Sequence, residues 1–200
     1  TDVFRQLTEP QVDVLWVVDD SGSMSEEQNA LGTNFPQFFN QTSINNVDYH
    51  IAVTTTLVSS RGCVPDITNP NATCVVEPDA EAGLYTACPG NDRFITRATP
   101  NPQQQFSCNV RVANRSNVRP SRSASDSMEA GLQAAKLFLS PPQINGTMAN
   151  AGFMRDDAKL YVIIVSDEED QSQGPTNLYV DFFQNLKGFR NRSLVSVSAI

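Results

Sequence analysis

The sequence predicts an α/β fold built on a mostly parallel sheet, and two apolar segments carry that prediction. Residues 12–18 (VDVLWVV) and 159–165 (KLYVIIV) are dense enough in aliphatic and aromatic side chains to be strands buried on both faces, as parallel strands are. An acid follows each segment, Asp19 directly and Asp167 after Ser166, and residues at helical spacing come next. Because open α/β sheets bind ligands at the carboxyl ends of their strands, this edge is the predicted site.

The first half of the chain alternates strand and helix signals. Residues 1–10 are interpreted as a lead-in segment before the first strand. A helix is expected next, and Gly32 and Pro36 should kink it or divide it in two. Residues 48–58 predict a second strand. His50 at its start is interpreted as a partly buried strand residue, because no second histidine or cysteine lies beside it.

Regular patterns return in the last third of the chain. Asp126 with Glu129 three residues later is a capping-box-like pair, which predicts a helix that starts near Ser125. Residues 178–189 predict an amphipathic helix, and residues 193–200 predict a further strand.

Residues 59–122 form a predicted insertion that is rich in Pro, Asn, Gly and Thr. Within it, residues 92–98 alternate as an edge strand does. The insertion holds all four cysteines, which are Cys63, Cys74, Cys88 and Cys108. Their spacing matches no zinc pattern, so an even number in a loop-rich region predicts two disulfides and an oxidising compartment. Three pairings are possible.

Composition excludes several classes of partner. The 200 residues suit one domain, and the formal net charge of −8 with a pI near 4.5 repels nucleic acid and anionic lipid. No apolar run approaches the length of a membrane span. No signal peptide opens the chain, and this leaves the compartment open because the sequence can be a mature form.

The turn after the first strand gathers oxygen donors. Asp19-x-Ser21-x-Ser23 offers one carboxylate and two hydroxyls within five residues. Hard oxygen donors of this kind suit Mg²⁺ or Ca²⁺ rather than a soft metal. The alternative is an ordinary strand-to-helix turn, where Asp, Ser and Gly are common because they cap helices.

Two motifs resemble von Willebrand factor A-type (vWA) domains, which carry a metal-ion-dependent adhesion site. Asp19, Ser21 and Ser23 match the DxSxS signature of that family, with a strand before it and a helix after it. Asp167 matches the aspartate of the family's TDGE-like motif, although Glu168 replaces the usual glycine. The segments 20–31, 34–39 and 150–172 also resemble bacterial cell-surface vWA proteins, which are often lipoproteins.

The resemblance implies a fold and a set of ligands. The fold is a doubly wound, Rossmann-like sheet over 11–200, flanked by helices, with one antiparallel edge strand and a C-terminal part missing after residue 200. The family's third metal ligand is a threonine six residues before a buried Leu or Ile. Counting back from Leu132 gives Asp126 instead. Asp126 then caps the helix, binds the metal as a carboxylate, or leaves that position to Ser125.

The implied function is adhesion through a metal. The hydroxyls of Ser21 and Ser23 would bind Mg²⁺ directly, while Asp19 and Asp167 hold it partly through water. Such a cation is undercompensated and takes a carboxylate from a protein or surface ligand. Ca²⁺ or Mn²⁺ are the alternatives, and each further carboxylate nearby, such as that of Glu168, favours Ca²⁺.

The expected setting is the cell surface, either the bacterial outer surface or the periplasm, with or without other domains of a longer chain. One alternative is a structural surface domain that a cation stabilises without a metal-bridged partner. A metal-dependent hydrolase is a weaker alternative, because the sequence has no histidine near the site and no GxSxG, P-loop or GxGxxG motif. The prediction is therefore a binding module and not an enzyme.

Overall fold

The protein is an α/β domain, seen in a computed structural model that describes residues 10–41, 47–59, 86–88, 90–112, 127–141, 143–146 and 150–200. Its elements in chain order are β1 (Gln11–Val18), α1 (Ser25–Gln41), β2 (Asp48–Thr55), β3 (Leu57–Ser59), α2 (Pro102–Asn109), β4 (Ser127–Glu129), α3 (Gly131–Phe138), β5 (Lys159–Val165), α4 (Thr176–Asn185), a 3-10 helix (Phe189–Leu194) and β6 (Val195–Ala199). The main sheet has the order β2-β1-β5-β6 and all its neighbours are parallel.

The core lies on both faces of β1, as the apolar run predicts. Leu15 and Val17 belong to a cluster that includes buried side chains of α3 and α4. Trp16 and Val18 belong to a second cluster with aromatic side chains of α1 and α2, in which Trp16 meets the ring of Phe106 edge to face. The side chains on both faces of β1 pack against apolar residues, and this explains why the strand is almost entirely apolar.

β5 is less fully buried than its sequence predicts. Leu160, Val162 and Ile164 are buried, whereas Tyr161 and Ile163 on the opposite face are only half-buried. The aromatic rings that cover this face are centred on β1 and β2, so β5 meets less of them.

Two helices bear on the expectations. The first helix runs without division from Ser25 to Gln41 and contains Pro36. The predicted helix near Ser125 is wrong in its start, because Ser127–Glu129 forms β4 and the helix begins only at Gly131. Pairing with β3 supplies backbone hydrogen bonds there, and these prevail over a local cap. No helix in the described ranges is long and apolar enough to cross a membrane.

The remaining strand predictions are adjusted in length. The single strand expected at 48–58 is divided into β2 and β3 at Thr56. The edge strand expected at 92–98 is reduced to one antiparallel bridge, between Ile51 and Ile95. His50 is partly buried on β2, as predicted, and its Nδ1 lies 2.8 Å from the carbonyl oxygen of Phe153.

One predicted disulfide is confirmed within the insertion. Cys88 and Cys108 are bonded and join residues 86–88 to α2. The amide of Cys88 also donates to Oδ1 of Asn109 at 2.9 Å, so the two segments are held by polar contacts as well. Cys63 and Cys74 lie outside the described residues.

Candidate metal centre

The topology brings the ends of three strands together at one edge of the sheet. β1 is the central partner, and Val18 stands in register with Thr55 of β2 and with Val165 of β5. The residues that follow these strands are Asp19, Thr56 and Ser166, so polar side chains from three distant parts of the chain meet at one edge.

Asp19 lies at the centre of this edge and is fully buried. Its Oδ1 accepts a hydrogen bond from the amide of Ser21 at 2.7 Å, and its Oδ2 accepts one from the hydroxyl of Ser166 at 2.7 Å. The Oγ atoms of Ser21 and Ser23 lie 2.9 Å apart. The turn thus holds the carboxylate in one orientation and sets two hydroxyl oxygens side by side.

A glutamine in the following helix supports the same turn. Gln28 of α1 is buried, and its side-chain amide donates to the carbonyl oxygen of Asp19 at 2.6 Å. The backbone amide of Gln28 donates to the carbonyl oxygen of Met24 at 2.9 Å. Sequence analysis missed this residue. A glutamine in the first turns of an amphipathic helix gives no local sign that it will be buried.

Glu129 is a second residue that sequence analysis missed as part of this site. Its Oε2 atom is buried and has no hydrogen-bond partner among the described residues. Burial raises the pKa of Glu129 to about 7, and the charge of Asp19, a side-chain hydrogen bond with the Glu168 carboxylate and the charges of Glu168 and Asp167 raise it further. Acids from the ends of β1, β4 and β5 therefore share one region.

Thr56 contributes an oxygen atom beside these acids. Its side chain is buried, and its Oγ1 has no hydrogen-bond partner in the part of the chain that the structure describes. Together with Glu129, Ser166 and Glu168 it lines a cavity of about 500 Å³. Its backbone carbonyl accepts from the amide of Ala130 at 2.9 Å, which fixes Thr56 to the segment that carries Glu129.

The acidic run after β5, residues 166–170, has two separate roles. Ser166 attaches its beginning to Asp19, and Asp167 follows at an exposed position whose charge is felt by Glu129. Asp170 instead caps α3, because its Oδ1 accepts from the amide of Leu132 at 3.1 Å. The first half of the run therefore belongs to the candidate site and the second half to the start of a helix.

The other predicted ligands are placed as follows. Asp126 and Ser125 lie outside the described residues, so the choice between them stays a prediction. Asp20 is buried beside Asp19. Among the described residues, no group of three or more His, Cys, Asp or Glu side chains is arranged to hold a metal ion.

The donor set nevertheless fits a hard divalent cation once hydroxyls are counted. Ser21 and Ser23 supply neutral oxygens, Asp19 supplies a fixed carboxylate, and Glu129 and Thr56 supply buried oxygens that have no hydrogen-bond partner among the described residues. Oxygen-only donor sets suit Mg²⁺ and Ca²⁺. In the described part of the chain, no Lys, Arg or His forms a salt bridge with Asp19, Glu129, Asp167 or Glu168.

Comparison with known proteins finds little that is similar to this chain. No family model matches it, and no curated protein sequence matches it significantly. Among solved structures, proximal thread matrix protein 1 from the mussel byssus aligns at 11% sequence identity with a TM-score of 0.38. The alignment covers 96% of this chain and 38% of that protein's chain. A similarity at this level carries no argument about fold or function.

Proposed function

We propose that this chain is a divalent-cation-dependent binding module of the vWA type, with a doubly wound sheet that holds the cation at its carboxyl edge. The observation that carries the proposal is the arrangement around Asp19. Its buried carboxylate is oriented by Ser21 and Ser166, and the hydroxyls of Ser21 and Ser23 lie together beside it. A turn that merely capped a helix would have no need of a buried carboxylate.

The chemistry of such a site follows from its donors. Ser21 and Ser23 would bind the cation through neutral oxygens, and Asp19 and Asp167 would hold it directly or through water. Neutral donors leave positive charge on the ion, and Mg²⁺ keeps exchangeable water in its shell. A carboxylate of a protein or surface ligand can replace that water. The motif alone favours Mg²⁺ as the cation, with Ca²⁺ and Mn²⁺ as the alternatives.

The disulfide supports a setting outside the cytoplasm. The Cys88–Cys108 bond favours an oxidising compartment, since such bonds are rare where thiols are kept reduced. We therefore place the module at the cell surface or in the periplasm, where it would bind a partner protein, a surface ligand or another domain of a longer chain.

Thermal unfolding with and without cation tests the proposal. At a free cation concentration of about 100 times Kd, the stability of the wild type should rise by about 2.7 kcal/mol. The S21A/S23A double variant should lose most of that gain, and the S193A variant, changed at an exposed serine elsewhere, should keep it. A wild-type chain that gains no stability from Mg²⁺, Ca²⁺ or Mn²⁺ would contradict the proposal.

Solvent relaxivity of the Mn²⁺-loaded protein then separates a binding module from a structural domain. A cation poised for a partner keeps exchangeable water, which raises the relaxation rate of solvent protons. Acetate, as a model of a partner carboxylate, should lower that rate by displacing the water. Relaxivity that is low from the start and insensitive to acetate would favour a purely structural cation.

A further inference from the structure

The backbone of Glu129 is held by the fold, and its carboxyl group contacts that of Glu168. β4 pairs with β3 so that Glu129 stands opposite Leu57, and its carbonyl oxygen accepts from the amide of Gln171 at 2.9 Å. The backbone is therefore fixed from two sides. Its buried Oε2 nevertheless has no donor among the described residues. Two carboxyl groups in contact, without a basic partner among the described residues, share a proton or bind a cation, so this pair requires an explanation.

Thr56 gives an independent sign that a ligand belongs there. The residue is 1% exposed, and its Oγ1 also lacks a partner within the described ranges. It lines the same cavity as Glu129, at the end of a different strand. One orphaned oxygen could be an accident of packing. Two such oxygen atoms from separate elements line one cavity, and this indicates an occupant that binds oxygen lone pairs.

The charge of the surroundings decides which occupant fits. Glu168 lines the cavity and lies in contact with Glu129, and Asp19 and Asp167 are close enough to affect it. Asp170 also lines the cavity, although Oδ1 of its carboxylate already caps α3. Carboxylates without cationic partners attract a cation, and oxygen donors at this density favour a hard one.

We infer that Glu129 is a ligand of the cation held by Asp19, Ser21 and Ser23, directly or through one water, and that it makes the site selective for Ca²⁺ over Mg²⁺. The inference rests on the proposed function and revises the ion expected from the motif. Ca²⁺ accepts about six to eight oxygens in loose geometry, whereas Mg²⁺ binds through about one or two carboxylates and keeps its water. A further carboxylate therefore benefits Ca²⁺ more.

Calorimetric titration of the chelator-treated full chain with Ca²⁺ and with Mg²⁺ tests this inference. The wild type should bind Ca²⁺ about 10-fold more tightly than Mg²⁺. Glu129→Gln keeps the size of the side chain and removes its charge. It should weaken Ca²⁺ binding by about 10- to 100-fold and Mg²⁺ binding by less, so that the ratio of the two affinities falls.

Glu169→Gln is the matched control, because Glu169 is an exposed acid of the run after β5 and does not line the cavity. It should leave both affinities unchanged. If Glu129→Gln leaves the Ca²⁺/Mg²⁺ ratio unchanged while S21A/S23A abolishes binding, the inference is wrong and the proposed function stands. If the wild type binds neither ion, the proposed function itself is wrong.

Discussion

Each end of the parallel sheet buries an aspartate, Asp13 within β1 at the amino end and Asp19 directly after β1 at the carboxyl end, and the two have opposite surroundings. At the amino end, Asp13 is fully buried and meets the guanidinium of Arg155, whose Nη2 lies 2.7 Å from Oδ1. Arg155 also binds Asp48 at 2.6 Å, and the ammonium of Lys187 lies 3.9 Å from Asp13. At the carboxyl end, Asp19 is equally buried, but its partners are neutral: an amide and a hydroxyl.

This difference separates a structural cluster from a candidate site. Burial raises the pKa of Asp13, and the contacts with Arg155 offset part of that rise. Burial lowers the pKa of Lys187, and Asp13 partly restores it. These charges compensate one another within the chain. The acids around Glu129 have no such compensation among the described residues, so the proposed cation would supply it from solution.

The largest effect is expected at the amino end. Arg155→Met should leave Asp13 buried without its main cation and lower the free energy of unfolding by about 3 kcal/mol. Urea denaturation measures it, with Arg190→Met as the control because Arg190 is exposed. The loss should be the same with and without Ca²⁺, since distant sites contribute additively. A loss below about 1 kcal/mol would show that the cluster is not structural in this sense.

A smaller effect on stability, with a clear effect on the cation, is expected from Ser166→Ala. This change removes the donor to Oδ2 of Asp19 and should cost about 1 kcal/mol of stability. Because the hydroxyl orients the carboxylate, cation affinity should fall by about 10-fold or more.

Ser140→Ala is the comparison for this variant. Ser140 follows α3 and donates to the carbonyl oxygen of Lys136 at 2.6 Å. This contact lies at the opposite end of α3 from Glu129. It should lose comparable stability with unchanged cation affinity. Equal cation affinity in both variants would mean that Ser166 does not position Asp19 for binding.

The last expected effect is a pH dependence of the cation-free protein, which solvent screening reduces because Glu129 is only partly buried. The pKa of Glu129 is raised from 4.5 to about 7 in the folded state, so the folded state binds its proton more tightly than the unfolded state does. This contribution to stability is present below pH 4.5 and is lost as pH rises to about 7. In Glu129→Gln the contribution does not titrate.

Urea denaturation of both proteins from pH 4.5 to slightly above 7 measures the pH-dependent contribution of Glu129 to stability. Glu129→Gln should gain stability relative to the wild type as pH rises through that range, and adding Ca²⁺ should restore the wild type at the upper end. A difference between the two proteins that does not change with pH would show that Glu129 does not titrate there.

Much of the fold could be predicted because its signals are local. The apolar run at 12–18 is a strand because its side chains need cover on both faces, and the sheet provides it. The predicted partly buried His50 and one predicted disulfide were also confirmed. The helix predicted near Ser125 was wrong because a capping pattern cannot reveal that β3, far back in the chain, offers Glu129 a strand partner.

The sequence by itself determined the DxSxS turn, since Asp19, Ser21 and Ser23 lie within five residues and their mutual contacts are short-range. Only the tertiary structure decided that Ser166, Thr56 and Glu129 surround that turn. They come from parts of the chain that are distant in sequence. The parallel register of β1 with β2 and β5 brings Thr56 and Ser166 to one edge, and the antiparallel pairing of β3 with β4 positions Glu129. Such proximity depends on strand pairing, which no local pattern encodes.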